Sequence, residues 1–157
     1  MRSIGNADFI VNEIQSQNDF DILFNFLHAD NRLIVMRAAD AVEKITIQHA
    51  AYLSGHKEEI LAFCKCADNI EFKWHLALLL PRLSFSEHEY AYVLKTLSSW
   101  LLDPKESKIV RANSMQALFE LSKQDLKAKE KLDNILIEVE KENVPSLLAR
   151  MRKIRRK

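Results

Sequence analysis

The chain has 157 residues, 48% hydrophobic and 29% charged, with a formal net charge of +1. That length fits one domain with a true core, and the balanced charge singles out no polyanionic partner. No run approaches 18 apolar residues, the length a membrane-spanning helix needs. Two glycines and three prolines leave little turn chemistry for hairpins, so the composition favours an all-helical chain.

The first residues, Met1 to Asp8, lack an apolar core, so no secretory signal is expected. Cys64 and Cys66 cannot build a disulfide framework, and a cytoplasmic location is expected. Asn6 is expected to cap a short helix over residues 7–16, and Asn18 the next, over 19–28. Asp30 or Asn31 then starts a helix that runs to about Gln48 or beyond, since Ala50, Ala51 and Tyr52 could extend it until Ser54 and Gly55 break it. A helix over 56–66 follows. Asp68 with Glu71 predicts a capping box for the next helix, which Pro81 kinks or ends. Ser86 with Glu89 is the clearest capping box, opening a helix to about Leu102. Asp103-Pro104 reads as a cap with proline at the first helical position. The last helices are expected over 124–141 and after Asn143, with Pro145 in the first turn.

Three of these helices share one pattern. Ile34, Ala38, Ala41, Val42 and Ile45 have the spacing of a single helix face. Phe72, Leu76, Leu79, Leu80 and Leu83 repeat it 38 residues on, and Val110, Ser114, Ala117, Leu118 and Leu121 repeat it after another 38. Only Ser114 is polar. Helices recurring at such a period predict stacked helical hairpins. The expected domain is single, over 1–157, with a capping helix at 7–16 and repeats at about 19–52, 55–84, 86–123 and 124–157.

These residues resemble the HEAT repeat family, whose second helix carries an acidic residue, then Val-Arg, then small or apolar residues. The third copy is closest, through Asp103-Pro104, Val110-Arg111, Ala117-Leu118 and Leu121. The first copy has Val35 where arginine is usual, and the second has Phe72-Lys73. The period is slightly short for the class, which leaves armadillo-like packing as the alternative. The resemblance implies an all-α, right-handed α–α superhelix of antiparallel helix pairs. It also implies a non-catalytic protein–protein interaction scaffold, with a protein or peptide held on the concave face that the second helices line. A few HEAT-like proteins are DNA glycosylases for alkylated bases, and Trp74 with Asp40 or Glu43 could imitate their site.

Positions just off the buried stripe are the candidate contacts: Arg37, Trp74, His75, Arg111, Met115 and Phe119. Apolar groups there suggest an interaction patch, and cover by a neighbouring helix is the competing explanation. The other candidate is the run Arg150, Arg152, Lys153, Arg155, Arg156 and Lys157, which leaves 17 basic against 22 acidic residues elsewhere. It could contact nucleic acid phosphates or an acidic partner, or simply complement a helix dipole. Cys64 and Cys66 lie two apart, which on a helix points them away from each other, so no metal site is expected. No phosphate loop, nucleophile elbow or His-Glu-x-x-His motif occurs, and neither an enzyme nor a cofactor is expected. No feature of the sequence sets an oligomeric state.

Overall fold

The computed structural model describes residues 6–157, with side chains from residue 8. The described residues form nine α-helices and three 3-10 turns, with no strand. They divide into two compact units, one ending at Leu83 and one starting at Ser84.

The first unit comprises α1 (Asn6–Glu13), α2 (Gln17–Asn25), α3 (Arg32–Gln48), α4 (Lys57–Cys66) and α5 (Ile70–Leu79). Its 3-10 turns are Phe26–His28, Ala50–His56 and Leu80–Arg82. The long helix α3 is its centre, with α1, α2 and α5 packed on it. Phe20, Leu23 and Phe24 from α2 meet a core that includes Ala38, Ala41, Val42 and Ile45 of α3, all buried. Burying each large apolar side chain there contributes about 1.5–3 kcal/mol.

Several helix starts differ from expectation. Asn6 opens α1, and its expected capping contact lies outside the described residues. α1 stops at Glu13, because Ser16, not Asn18, caps α2 by accepting from the Asp19 amide at 3.1 Å. Asn69, not Asp68, caps α5, accepting from the amides of Glu71 and Phe72 at 3.0 and 3.2 Å. One asparagine oxygen thus satisfies two of the free amides at the helix start. Asn31 caps α3 in the same way. α3 ends at Gln48, the earlier of its two expected ends, and Ser54-Gly55 lie in the 3-10 turn that follows. Pro81 does end α5, at Leu79, and sits in the following 3-10 turn.

The second unit comprises α6 (Glu87–Leu102), α7 (Lys108–Ser122), α8 (Leu126–Lys141) and α9 (Pro145–Arg155). Here α7 is central and packs on α6, α8 and α9. The Ser86 and Glu89 capping box is present, with bonds of 3.3 and 2.7 Å. Asp103-Pro104 does not start α7. Those residues form a turn in which Asp103 accepts from the Lys105 amide at 2.9 Å, and Ser107 caps the helix through the Val110 amide at 3.2 Å. Asn143 does not cap α9 either. It takes φ 53° after the end of α8, a left-handed conformation that asparagine tolerates. Pro145 opens α9 as expected.

Candidate functional site

The ladder positions are buried with a few exceptions. Phe72, Leu83 and Leu121 are half-buried, and Ile34 is 42% exposed. Ile34 lies in the first turn of α3.

The expected contact residues separate by burial. In the first unit Arg37 is exposed on α3 with no ion pair among the described residues, and Trp74 is half-buried on α5. His75 is corrected: it is 5% exposed and turned inward, its ring 5.2 Å from the Trp74 ring. Its Nδ1 is buried without a hydrogen-bond partner. Burial holds the imidazole below its ordinary range, and the opposing charges of Asp40, Glu43 and Glu71 do not reverse this. Neither carboxylate proposed beside Trp74 stands unpaired. Asp40 lies 3.3 Å from Lys44, and Glu43 lies 2.7 Å from Arg82. Arg82 also donates to the Glu43 carbonyl at 2.6 Å and to the Thr46 hydroxyl at 2.7 Å.

In the second unit Arg111 and Met115 are likewise corrected. They are 2% and 0% exposed, because α7 is flanked by three helices and presents little free surface. Arg111 Nε donates to the Leu101 carbonyl at 2.8 Å, and its Nη2 donates to Glu142 Oε1 at 2.7 Å. This side chain therefore fastens α6 and the end of α8 to α7. Phe119 is half-buried, with Lys123 Nζ 5.2 Å from its ring centre.

The basic run lies mostly on α9. Leu147, Met151 and Ile154 fill the core, while Arg152, Lys153, Arg155, Arg156 and Lys157 are exposed and Arg150 is half-buried. Arg150 donates to the Ala112 carbonyl at 3.4 Å. Arg155 pairs with Glu140 at 3.2 Å. Arg152, Lys153 and Arg156 are exposed at the C-terminal end of α9 and have no ion pair among the described residues.

One polar cluster has no counterpart in the sequence reading. His56, 8% exposed, places Nε2 2.7 Å from Asp21 Oδ1 and Nδ1 2.8 Å from Glu59 Oε1. His28 Nε2 lies 2.6 Å from Glu59 Oε2. The His56 ring also stacks on Phe24 at 3.9 Å. Burial pushes the Glu59 carboxyl up, but the hydrogen bonds from His56 and His28 hold it below its ordinary range. The one available signal was the separation of 35 residues between Asp21 and His56, close to one repeat. The cluster ties α2 to α4 and is not a cation cage, since the two nitrogens of His56 face different carboxylates. Among the described residues no group of three or more His, Cys, Asp or Glu side chains could hold a metal ion. Nor is any helix among them long and apolar enough to cross a membrane.

Helices that recur at one period, each central helix buried by its neighbours and studded with short-range polar ties, define a helical-repeat protein. The chain belongs to the HEAT repeat domain family, whose model matches residues 2–157. Nothing among the curated proteins or the solved structures matches it.

Proposed function

We propose that the chain is a non-catalytic protein–protein interaction scaffold in the cytoplasm, acting as one repeat domain over residues 1–157. Its partner is a protein or peptide segment held on the concave face that the second helices line in such repeats. Family membership over the whole chain supports the scaffold. The observation that carries a contact surface is Trp74, a large indole left half-buried on α5, with exposed Arg37 on α3 of the same unit. Phe119 on α7 is the corresponding candidate in the second unit.

A photo-crosslinking residue placed at position 37 tests this. The expected result is a crosslinked protein that disappears when Trp74→Ala and Phe119→Ala are added to a chain that still folds. A folded double variant that retains every crosslink would sink the reading.

A second reading rests on Arg152 and Lys153 of α9 and Arg156 just after it, exposed and without ion pairs among the described residues. It makes the chain a nucleic-acid-binding protein akin to the HEAT-like alkylation glycosylases. Ending the chain at Leu148 is a poor test, because it removes buried Met151 and Ile154. Reversing the three charges to glutamate leaves the core intact. Duplex DNA bound through these three cations should weaken with salt at a log–log slope of about −3. No binding at low salt, or binding unchanged by the reversal, removes this reading.

A further inference from the structure

The first unit carries an apolar groove of about 330 Å³ between α1 and α2, floored by α3. Ile10 and Ile14 form one wall, Ile22 and Phe26 the other, and Ile34 lies at the base. Ile22, Phe26 and Ile34 are 55%, 50% and 42% exposed, so large apolar groups face water on three adjoining elements. The single charged group in the lining is Asp19. Hydrogen bonds from the Ser16 hydroxyl and the Gln15 amide hold its carboxyl below the usual range, so it is anionic at neutral pH.

The walls have one sign of charge. Residues 6–30, which supply both, contain Asp8, Glu13, Asp19, Asp21 and Asp30 and no lysine or arginine. Asp8 is paired with Lys44 and Asp21 with His56. Glu13 and Asp30 have no ion pair among the described residues. Floor helix α3 sets exposed Arg37 one turn from Ile34, against Asp19, Glu13 and Asp30, so the segments around the trough stay net acidic and complementary to an apolar stripe flanked by cations.

The backbone decides the form of the occupant. All three elements are helical, so their amides and carbonyls bond within themselves and offer no open edge to an extended strand. A segment entering the trough must satisfy its own backbone, which a helix does. A second copy is a poor occupant: the same acidic walls would face each other, and this chain's cationic helix α9 has its apolar residues Leu147, Met151 and Ile154 in its own core.

We propose that this groove docks one amphipathic, cationic helix of a partner protein, with apolar residues at i, i+3 or i+4 and i+7 and lysine or arginine on both flanks. Arg37 lies one turn from Ile34 on α3, so this surface adjoins it, but neither Trp74 nor Phe119 lines the groove, and the proposal does not depend on them.

The test uses three synthetic helical peptides: one with a leucine stripe and lysine flanks, the same stripe with glutamate flanks, and a lysine peptide with its leucines scattered around the helix. Binding to the full chain is measured by calorimetry and by amide shift mapping. The lysine-flanked stripe should bind, with shifts centred on Ile10, Ile22, Phe26 and Ile34. Each of the other two peptides should bind at least about tenfold more weakly, a difference of about 1.4 kcal/mol. Ile22→Lys, at an exposed position, should weaken the first peptide by a similar factor while the circular dichroism is unchanged. Glu13→Gln with Asp30→Asn should reduce both affinity and salt dependence. Equal binding of the lysine and glutamate peptides, equal binding of the scattered peptide, or shifts elsewhere on the chain would overturn the proposal. So would a dimer of the chain that Ile22→Lys dissolves, since the occupant would then be a second copy. A chain carrying Trp74→Ala and Phe119→Ala should bind the first peptide as the parent does, which keeps this result distinct from the crosslinking test of the second-helix contacts.

Discussion

Replacing Arg111 tests whether the most distinctive residue of the family-like motif is a contact or a fastener. The guanidinium is 2% exposed, with one donor on the Leu101 carbonyl at 2.8 Å and another on Glu142 at 2.7 Å. Arg111→Met keeps the apolar stem and removes both bonds. The orphaned carbonyl alone costs about 1–3 kcal/mol. Glu142 loses less, because its side chain is 29% exposed and can take up water. Removing one partner of a buried pair costs about 3–5 kcal/mol when the other charge stays buried; partial hydration of Glu142 places this case near the lower end, at about 3 kcal/mol. For a chain of this length each kcal/mol shifts the melting temperature by about 2–4 °C, so a fall of about 6–12 °C is expected. Trp100 lies 9% exposed on α6, next to Leu101. In a Trp74→Phe background its fluorescence during urea unfolding reports on this unit. Glu142→Ala and the double variant complete a cycle with an expected coupling of about 1 kcal/mol. If Arg111→Met unfolds within about 0.5 kcal/mol of the parent, the typical limit for exposed positions, and the cycle shows no coupling, the fastener argument is wrong.

Three further outcomes follow from the same geometry. Gly55 has no positive φ and nothing within 4 Å of an added Cβ, so Gly55→Ala should stabilise the chain by about 0.4–1 kcal/mol through the unfolded state; calorimetry showing a lower melting temperature would contradict this. The His75 imidazole is held below its ordinary range by burial, so protonation favours the unfolded chain: its contribution is complete above about pH 6.5 and declines as pH falls below that value. Urea midpoints of the parent should drop more than those of His75→Gln between neutral and mildly acidic pH, and parallel curves would refute the assignment. Cys64 is buried, which pushes its thiol up to about 12, while Cys66 is exposed. Brief treatment with iodoacetamide should add one label, at Cys66 by peptide mass mapping, and equal labelling of Cys64 would show that α4 opens readily.

Much of the architecture could be read from the sequence because its signals are local. Ser86 with Glu89, Pro81 and Pro145 each act within one turn, and the structure uses all three. The misread helix starts were choices between two competent caps a few residues apart. Ser16 competes with Asn18, Asn69 with Asp68, and Ser107 with Asp103. Tertiary packing selects among them by fixing which turn must face the core, and that is absent from a short window. The candidate site was less legible for a related reason. A stripe calculation assumes one buried face, but α7 meets three helices, so its buried arc takes in Arg111 and Met115. Ile34 errs the other way. It fits the stripe, yet it sits in the first turn of α3, stays 42% exposed and lines the groove. The His56 cluster is not legible in the sequence because Asp21 and His28 lie 35 and 31 residues from their partners His56 and Glu59, and no motif links residues at such distances.

Those separations bear on how the chain folds. Arg82 reaches Glu43 and Arg32 reaches Glu71, each across 39 residues, and no other side-chain bond described here spans more. The loops that must close are therefore short, and doubling a loop adds only about 0.6 kcal/mol of closure cost. Among the described residues, units wired this way have a low contact order. Each unit should therefore acquire structure quickly, from an adjacent pair of helices outward.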